Sequence, residues 1–524
     1  MVFNFLSRAI GGQPRTAFVD QLDRPLVRYS EHGGSSMRDF FEHIQVFGKS
    51  GSGKTSASGK AHAMALLRSG AGGVVIVVKP DEAQLWAEYC REAGRTSSLV
   101  MFNEIAGFNF LNWEALRQGP NAIAGIVDYL IHILDIAKGG QAVSKEDGGA
   151  DFFKSAAAQR LRYVIPALYS AYGEVTLAGV LQFLTSTPSS PKEVDPATPE
   201  CAAFHARSFM SQTLHRMASN PAIPLSVGDQ NNIMRYWQQE FPRGAAKTEA
   251  NVLMTVSATL DRFMHGRLRD MFCGQTTIVP ELAFAGAVIV LNMPIMNWGA
   301  DGRIAQLVFK YAFQRAVMAR NALAERFRDR PVFLWADESQ YIVTPDDPMF
   351  LSTARGCRAS VVYLTQNLPN YIEQIGGASP RDAAMAMLGN FGTKIFHANG
   401  CADTNTYASE LIGRSLQWRR NVGQNEGWNS SDSFNFGRSV GTSESASVSY
   451  SERGGSTSTT SLGTTSGRNW GFSSSSGRSG GRSSGMSEVM DYAVQPSLFA
   501  QLRQGGPRNR GEVDAILHRA SSGF

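Results

Sequence analysis

The sequence predicts an α/β protein built on a mostly parallel sheet, and three observations carry that expectation. An apolar strand-like run, HIQVF from residue 43, leads into a glycine-rich loop that opens the helical stretch TSASGKAHAMALLRSG. Strand-plus-loop-plus-helix is the repeating unit of doubly wound sheets. Further β-branched runs recur without polar alternation, beginning with GGVVIVVKP, which marks strands covered on both faces. Helical spacing, rather than tight hairpin signals, separates most of these runs.

Taken in order, the next strand is SSLVMFN near Val100. Much later come AGAVIVLNMP around Val290, PVFLWADE around Leu334, SVVYLTQN around Tyr363, GTKIFHAN around Ile395 and EVDAILH around Ile516. The sheet is therefore discontinuous in sequence. Between its halves, NAIAGIVDYLIHILDIA, DFFKSAAAQRLRYVIPALYSAY and ATLDRFMHGRLRDMF have helical periodicity, so residues 112–281 read as an inserted all-α domain. Its aromatic and Met residues at helical spacing serve as core. The resulting division is an N-terminal arm (1–40), a nucleotide-binding domain in two parts (41–111 and 282–422) around the α insertion, a Ser/Gly-rich insertion (423–487) and a closing segment of the nucleotide-binding domain (488–524).

Composition fits a chain of 524 residues with more than one domain. Charged residues make up only 18%, a low value to which the charge-poor tract 423–487 contributes. A formal charge of +5 permits nucleic-acid affinity without demanding it. Five dispersed cysteines without a CxxC pair argue against a disulfide framework or a zinc site and suit a reducing compartment. The apolar start MVFNFLSRAIGG is too short for a signal peptide. The run at 282–291 falls well short of the roughly 20 residues a membrane span needs, so the expectation is a chain with no transmembrane segment of its own.

The tract 423–487 leaves two readings open, a solvated linker or a β-ribbon. Ser443, Ser445, Ser447, Ser449 and Ser451 alternate, which puts them on one face of an extended strand. Arg438, Arg453, Arg468, Arg478 and Arg482, interleaved with Tyr450 and Trp470, are of a kind that contacts a phosphate backbone and stacks bases.

The loop Gly48-Lys49-Ser50-Gly51-Ser52-Gly53-Lys54-Thr55 has the Walker A spacing. Its glycines let backbone N–H groups converge on phosphates at a helix N-terminus. Lys54 adds a cation for the outer phosphate oxygens, and Thr55 a hydroxyl for Mg²⁺. The partner motif is an apolar strand ending in acids, Val332-Phe333-Leu334-Trp335-Ala336-Asp337-Glu338. Asp337 is placed to hold Mg²⁺ and Glu338 to polarise the attacking water. The next strand ends at Gln366, a candidate sensor of the outermost phosphate. Between them lie Arg355 and Arg358, either of which can reach a neighbouring subunit as a trans-acting finger or form an ordinary surface ion pair.

Together these motifs resemble the coupling-protein ATPases of bacterial conjugation and type IV secretion, the TraG/TraD class. The likeness runs from about His43 to the end of the chain. It rests on the Walker A loop, Val78-Lys79-Pro80-Asp81-Glu82, Phe108-Asn109-Phe110-Leu111-Asn112, Asp151-Phe152-Phe153, Ala336-Asp337-Glu338-Ser339, the Arg355–Arg358 turn and Thr365-Gln366-Asn367.

The resemblance implies a RecA-like P-loop motor, ATP and Mg²⁺ as cofactors, and a homo-hexameric ring with nucleotide at its interfaces. It favours Arg355 as the trans finger. It implies single-stranded DNA or a relaxase–DNA complex as cargo, and secretion-channel or membrane proteins as partners. Members of the class usually carry transmembrane helices ahead of the motor, whereas here the loop begins within the first 50 residues. The expectation is thus a cytoplasmic form recruited to the inner face of the cell membrane. Two other classes share some of these features, a DNA-repair or defence ring translocase and a nucleotide-gated protein-recruiting scaffold. A pure scaffold needs neither Glu338 nor Gln366 for turnover.

Overall fold

The computed structural model describes residues 22–29, 33–118, 123–137, 148–193, 195, 197–243, 246–375, 379–434, 439–450, 456–467 and 472–520. The candidate nucleic-acid contacts Arg438, Arg453, Arg468 and Trp470 lie outside them, as does Ser451. The chain divides into two compact units, Met1–Thr404 with Phe499–Phe524, and Asn405–Leu498.

In the first unit, β1 (Pro25–Arg28) and β2 (Gly34–Ser36) form a short antiparallel hairpin. The central sheet then gathers β3 (Ile44–Phe47), β4 (Gly72–Ile76), β5 (Leu99–Phe102), β6 (Val288–Leu291), β7 (Val332–Ala336), β8 (Ala359–Thr365) and β9 (Thr393–His397). The second unit holds β10 (Arg414–Phe434), β11 (Ser439–Tyr450), β12 (Ser456–Gly467) and β13 (Phe472–Tyr492) before β14 (Ala515–Arg519) returns to the central sheet. The order across that sheet is β14-β9-β3-β8-β7-β4-β6-β5. Every neighbouring pair is parallel except β14 with β9. All eight runs read as strands from the sequence are in this one sheet.

Alternation explains why those runs are continuously apolar. Val75, Val77, Val288, Val290, Phe333, Trp335, Val362 and Leu364 join one core cluster with the helices Lys60–Arg68 and Glu82–Glu92. Trp86 stacks on Phe333 there at 5.8 Å between ring centres. The residues between them, such as Val74, Ile289, Leu334 and Val361, are equally buried. Each side chain removed from water contributes roughly 1.5–3 kcal/mol before chain entropy is counted, so a polar residue on either face would cost stability.

Residues 103–287 contain no strand among those described. Helices there include Phe110–Gln118, Ile123–Ala137, Gly148–Tyr172, Leu177–Thr185, Phe209–Ser219 and Ala246–Asp261. Gly148–Tyr172 carries Pro166 inside it. The helical region meets the sheet through aromatic contact, as Phe309 of helix Ile295–Ala319 lies 4.9 Å from Phe102 and 5.1 Å from Phe108. Charge joins them too: the buried carboxylate of Glu114 accepts from Arg117 and Arg315. No single described helix is long and apolar enough to cross a membrane.

In the second unit the described part of the Ser/Gly tract is extended and paired rather than a linker. β10 runs antiparallel to β13 from Arg414↔Tyr492 to Phe434↔Phe472, and β11 to β12 from Ser439↔Gly467 to Tyr450↔Ser456. Pairing starts before residue 423 and continues past 487 because an antiparallel ladder is made by backbone groups, which do not follow composition. At 21 residues, β10 is about 70 Å long for a rise of roughly 3.3 Å per residue. In that register Ser443, Ser445, Ser447 and Ser449 pair with Gly463, Ser461, Thr459 and Thr457.

A buried ion pair ties the long helix to the turn behind β7. Lys310 Nζ lies 2.7 Å from Asp347 Oδ2, both side chains being 1% exposed, and Gln314 donates to Oδ1 at 2.8 Å. Asp347→Ala leaves that ammonium buried without its counter-charge. It should cost about 3–5 kcal/mol in urea unfolding, and Lys310→Met with Asp347→Leu markedly less.

Candidate functional site

The Walker A loop leaves the C-terminal edge of β3 and enters a helix whose first turns, Lys54–Gly59, are of the wide π type before the α-helix Lys60–Arg68. Such turns occur mostly at functional positions. Gly51 and Gly53 have φ of +73° and +88°, in the left-handed region where a side chain is strained. At Gly53 space forbids one as well, since an added Cβ would sit 2.8 Å from both methyls of Val513. The closing segment therefore packs directly on the loop. Gly48 N–H donates to the Thr365 carbonyl and Lys49 N–H to that of Ala398, fixing the loop to the edges of β8 and β9.

Strand order places the acids opposite. β8 lies between β3 and β7, so the loop and the end of β7 face each other across its C-terminal edge. Asp337 and Glu338 follow β7 directly, and Glu338 takes φ of +51°, which turns it out of the strand direction. Thr55 Oγ1 donates to Asp337 Oδ2 at 2.6 Å. Lys54 Nζ donates to Glu338 Oε1 at 3.0 Å and lies 3.5 Å from Asp337. Gln366 Nε2 reaches the Glu338 carboxylate at 3.4 Å. The structure thus brings together Lys54, Thr55, Asp337, Glu338 and Gln366.

It does not bring Arg355 to this cluster. Arg355 sits in the turn Arg355–Cys357 that precedes β8, at the opposite edge of the sheet, with its side chain 62% exposed and 3.2 Å from Glu42. Arg358 is held by the Asp329 carbonyl at 2.9 Å and its carboxylate at 3.5 Å. Of the two, Arg355 is the more exposed.

Sequence reasoning gave no role to three members of the site, although Lys79 and Glu82 stand in the motif Val78-Lys79-Pro80-Asp81-Glu82 that carries part of the resemblance. Lys79, just beyond β4, places Nζ 2.8 Å from Glu338 Oε1, 3.7 Å from Asp337 and 4.0 Å from Glu82. Gln340 Nε2 donates to Glu338 Oε2 at 3.0 Å, and its own oxygen accepts from Thr365 Oγ1 at 2.8 Å. Glu82 Oε2 accepts from the Val78 N–H at 2.7 Å. The signals available were that motif and a cation immediately after the strand GGVVIVV. Those clues become useful only once β4 is known to neighbour β7.

Electrostatics separate the acids. Burial works to raise the Glu338 carboxyl, but the Lys54 charge and hydrogen bonds from Lys79 and Gln340 overcome it and hold the group down at about 2. Glu82 goes the other way: burial, reinforced by the Asp337 charge, pushes it up to about 8. Burial, with Lys54 nearby, lowers His397 to about 4, so the imidazole beside the loop is neutral at pH 7.

A cleft of about 500 Å³ opens onto the loop, lined among others by Ser52, Lys54, Lys79, Tyr89 and Gln340. The Ser52 hydroxyl is buried with no hydrogen-bond partner. A glycine-lined cradle, two ammonium groups and a hydroxyl–carboxylate pair suit a nucleotide phosphate chain with a divalent cation.

Comparison with known proteins agrees with this geometry. Residues 331–492 match the family model described as the TraM recognition site of TraD and TraG. That stretch resembles the TraG/TraD class. The matched stretch includes β7, the two acids, Gln366 and the paired strands of the second unit. The chain has the fold of the bacterial conjugative coupling protein TrwBdeltaN70, with a TM-score of 0.54 at 12% identity over 96% of this chain and 88% of that one. A second match is the plasmid coupling protein TrwB in complex with ADP and Mg²⁺, at TM-score 0.52 and 13% identity over 98% and 93%. The RecA-like assignment and the resemblance to the TraG/TraD class both hold. No curated protein sequence matches the chain.

The Glu82 shift gives a pH prediction for the nucleotide-free protein. Its carboxyl ionises near 4.5 when unfolded but near 8 when folded. The folded state therefore binds the extra proton between those values, and stability falls as pH rises through them. At about 1.36 kcal/mol per pKa unit the loss attributable to this residue is on the order of 5 kcal/mol by pH 8. Urea unfolding at pH 5 and pH 8 should show that decline in the wild type and a flatter profile in Glu82→Gln.

Proposed function

We propose that this chain is an ATP-hydrolysing ring motor that couples nucleotide turnover to the transfer of DNA or DNA-linked protein, as in conjugation and type IV secretion. The observation that carries the reading is the convergence of Lys54, Thr55, Asp337 and Glu338 on one cradle in a chain with a TraG/TraD module. TrwB, which shares the fold, is described in complex with ADP and Mg²⁺, and this supports the same ligands here. The loop from Gly48 to Thr55 would hold the phosphates, with Lys54 supplying charge. Thr55 and Asp337 would hold Mg²⁺, which neutralises phosphate charge when bound.

Glu338, ionised at any physiological pH, orients the attacking water, and Gln366 senses the outermost phosphate from the neighbouring strand. Arg355, at the far edge of the sheet and exposed, suits a residue acting on the next subunit of a homo-hexamer. The cargo that fits this reading is single-stranded DNA or a relaxase–DNA complex. Secretion-channel or membrane proteins would recruit the motor to the inner face of the cell membrane.

Steady-state ATP hydrolysis with and without single- and double-stranded DNA tests the reading. Turnover should rise with DNA and fall at least about 100-fold in Lys54→Ala and in Glu338→Gln. Turnover indifferent to DNA points to protein cargo, and its complete absence sinks the motor assignment.

The trans role of Arg355 predicts complementation. Arg355→Ala should bind nucleotide normally yet lose about 10³-fold in turnover. Mixing it with Glu338→Gln protein should restore part of the activity, because some interfaces then combine an intact Glu338 with an intact Arg355. No recovery in mixed rings that form normally would assign Arg355 to its ion pair with Glu42.

A further inference from the structure

Glu338 Oε1 is shared by two ammonium groups, Lys54 at 3.0 Å and Lys79 at 2.8 Å. Lys54 belongs to the phosphate loop. A phosphate chain with several negative charges competes for it far better than one carboxylate does. Lys79 belongs to a different strand edge, and its neighbours there are all acidic, Glu82, Asp337 and Glu338. We propose that Lys79 is the positioning residue for the Glu338 carboxylate, holding Oε1 when Lys54 is engaged with phosphate. This inference rests on the hydrolytic reading of the site and adds a residue to it.

The geometry gives the reason such a residue is needed. The last torsion of a glutamate is broad, so a carboxylate gripped at one oxygen still swivels. Here Gln340 grips Oε2 at 3.0 Å and Lys79 grips Oε1. Two grips on different oxygens fix the carboxylate plane and leave its remaining lone pairs for water. Glu82 stands behind Lys79. The Glu82 Oε1 atom, buried and without a hydrogen-bond partner, lies 4.0 Å from Nζ, while its Oε2 is fixed by the Val78 N–H. Lys79 is 31% exposed along its side chain, enough to adjust as the cleft fills. Orientation of this kind acts on the chemical step rather than on binding.

The test pairs equilibrium binding of a fluorescent ATP analogue with steady-state hydrolysis, on Lys79→Ala, Lys79→Gln, Lys79→Arg, Glu338→Gln and the double variant Lys79→Ala/Glu338→Gln. Melting temperatures serve as the folding control. Lys79→Ala should leave the analogue's Kd within about 3-fold and lower kcat at least about 10-fold, with KM little changed. Lys79→Arg should recover most of that loss. The double variant should be no slower than Glu338→Gln alone, since there is then no carboxylate to position.

A Kd that rises as much as turnover falls would make Lys79 a phosphate ligand and overturn the proposal. So would normal turnover in Lys79→Ala beside an inactive Glu338→Gln, which leaves the hydrolytic reading intact. Lost binding and lowered melting in all three Lys79 variants would make the residue structural and overturn it too. Full turnover in Glu338→Gln, or none in the wild type, removes the hydrolytic reading and this inference with it.

Discussion

Lys54 can reach Glu338 only if β3, β8 and β7 lie side by side, parallel and in that order. The two residues are separated by most of the first unit in sequence, yet their side chains meet at 3.0 Å. Parallel pairing puts every strand's C-terminal end on one edge, and β8 sets the distance between the loop on one neighbour and the acids on the other. Nothing local in the loop or in the acidic turn can supply that distance. The apolar cores on both faces therefore do more than stabilise the fold, because they fix the spacing of its charged edge.

The same dependence explains how the edge tolerates so much buried charge. Lys54, Lys79, Asp337 and Glu338 alternate in sign around a small volume. Isolated, each would carry a heavy desolvation cost, and removing one partner is far more damaging than replacing a pair. Ser339, Tyr371 and Gln45 continue the network beneath the acids, with the Tyr371 hydroxyl donating to Gln45 at 2.9 Å. The charges of Lys54, Lys79, Asp337 and Glu338 thus balance one another in the nucleotide-free site, so a phosphate chain would enter by exchange for carboxylates rather than into an unbalanced field.

The central strands were legible because each is buried on both faces, which leaves a continuous apolar run that no amphipathic helix imitates. Lys54, Thr55, Asp337 and Glu338 were legible because their chemistry demands residue types at fixed spacing. The roles of Lys79, Glu82 and Gln340 were not, even though the first two stand in a quoted motif, since those roles arise from adjacency between β4, β7 and β8, and no short motif encodes which strands will be neighbours. Residues 423–487 were ambiguous for another reason. Composition speaks to whether side chains can build a core, whereas β10 to β13 are joined through the backbone and give little sign of it beyond alternating serines.

The contact between Val513 and Gly53 has a consequence for how the protein is made. The residue that packs on the phosphate loop and the strand β14 are synthesised only after the whole ribbon. A nascent or prematurely terminated chain carries the loop without its cover and exposes the β9 edge that β14 would pair. A chain that stops short of Val513 therefore leaves Gly53 uncovered, so the shape of the loop depends on a residue made long after it.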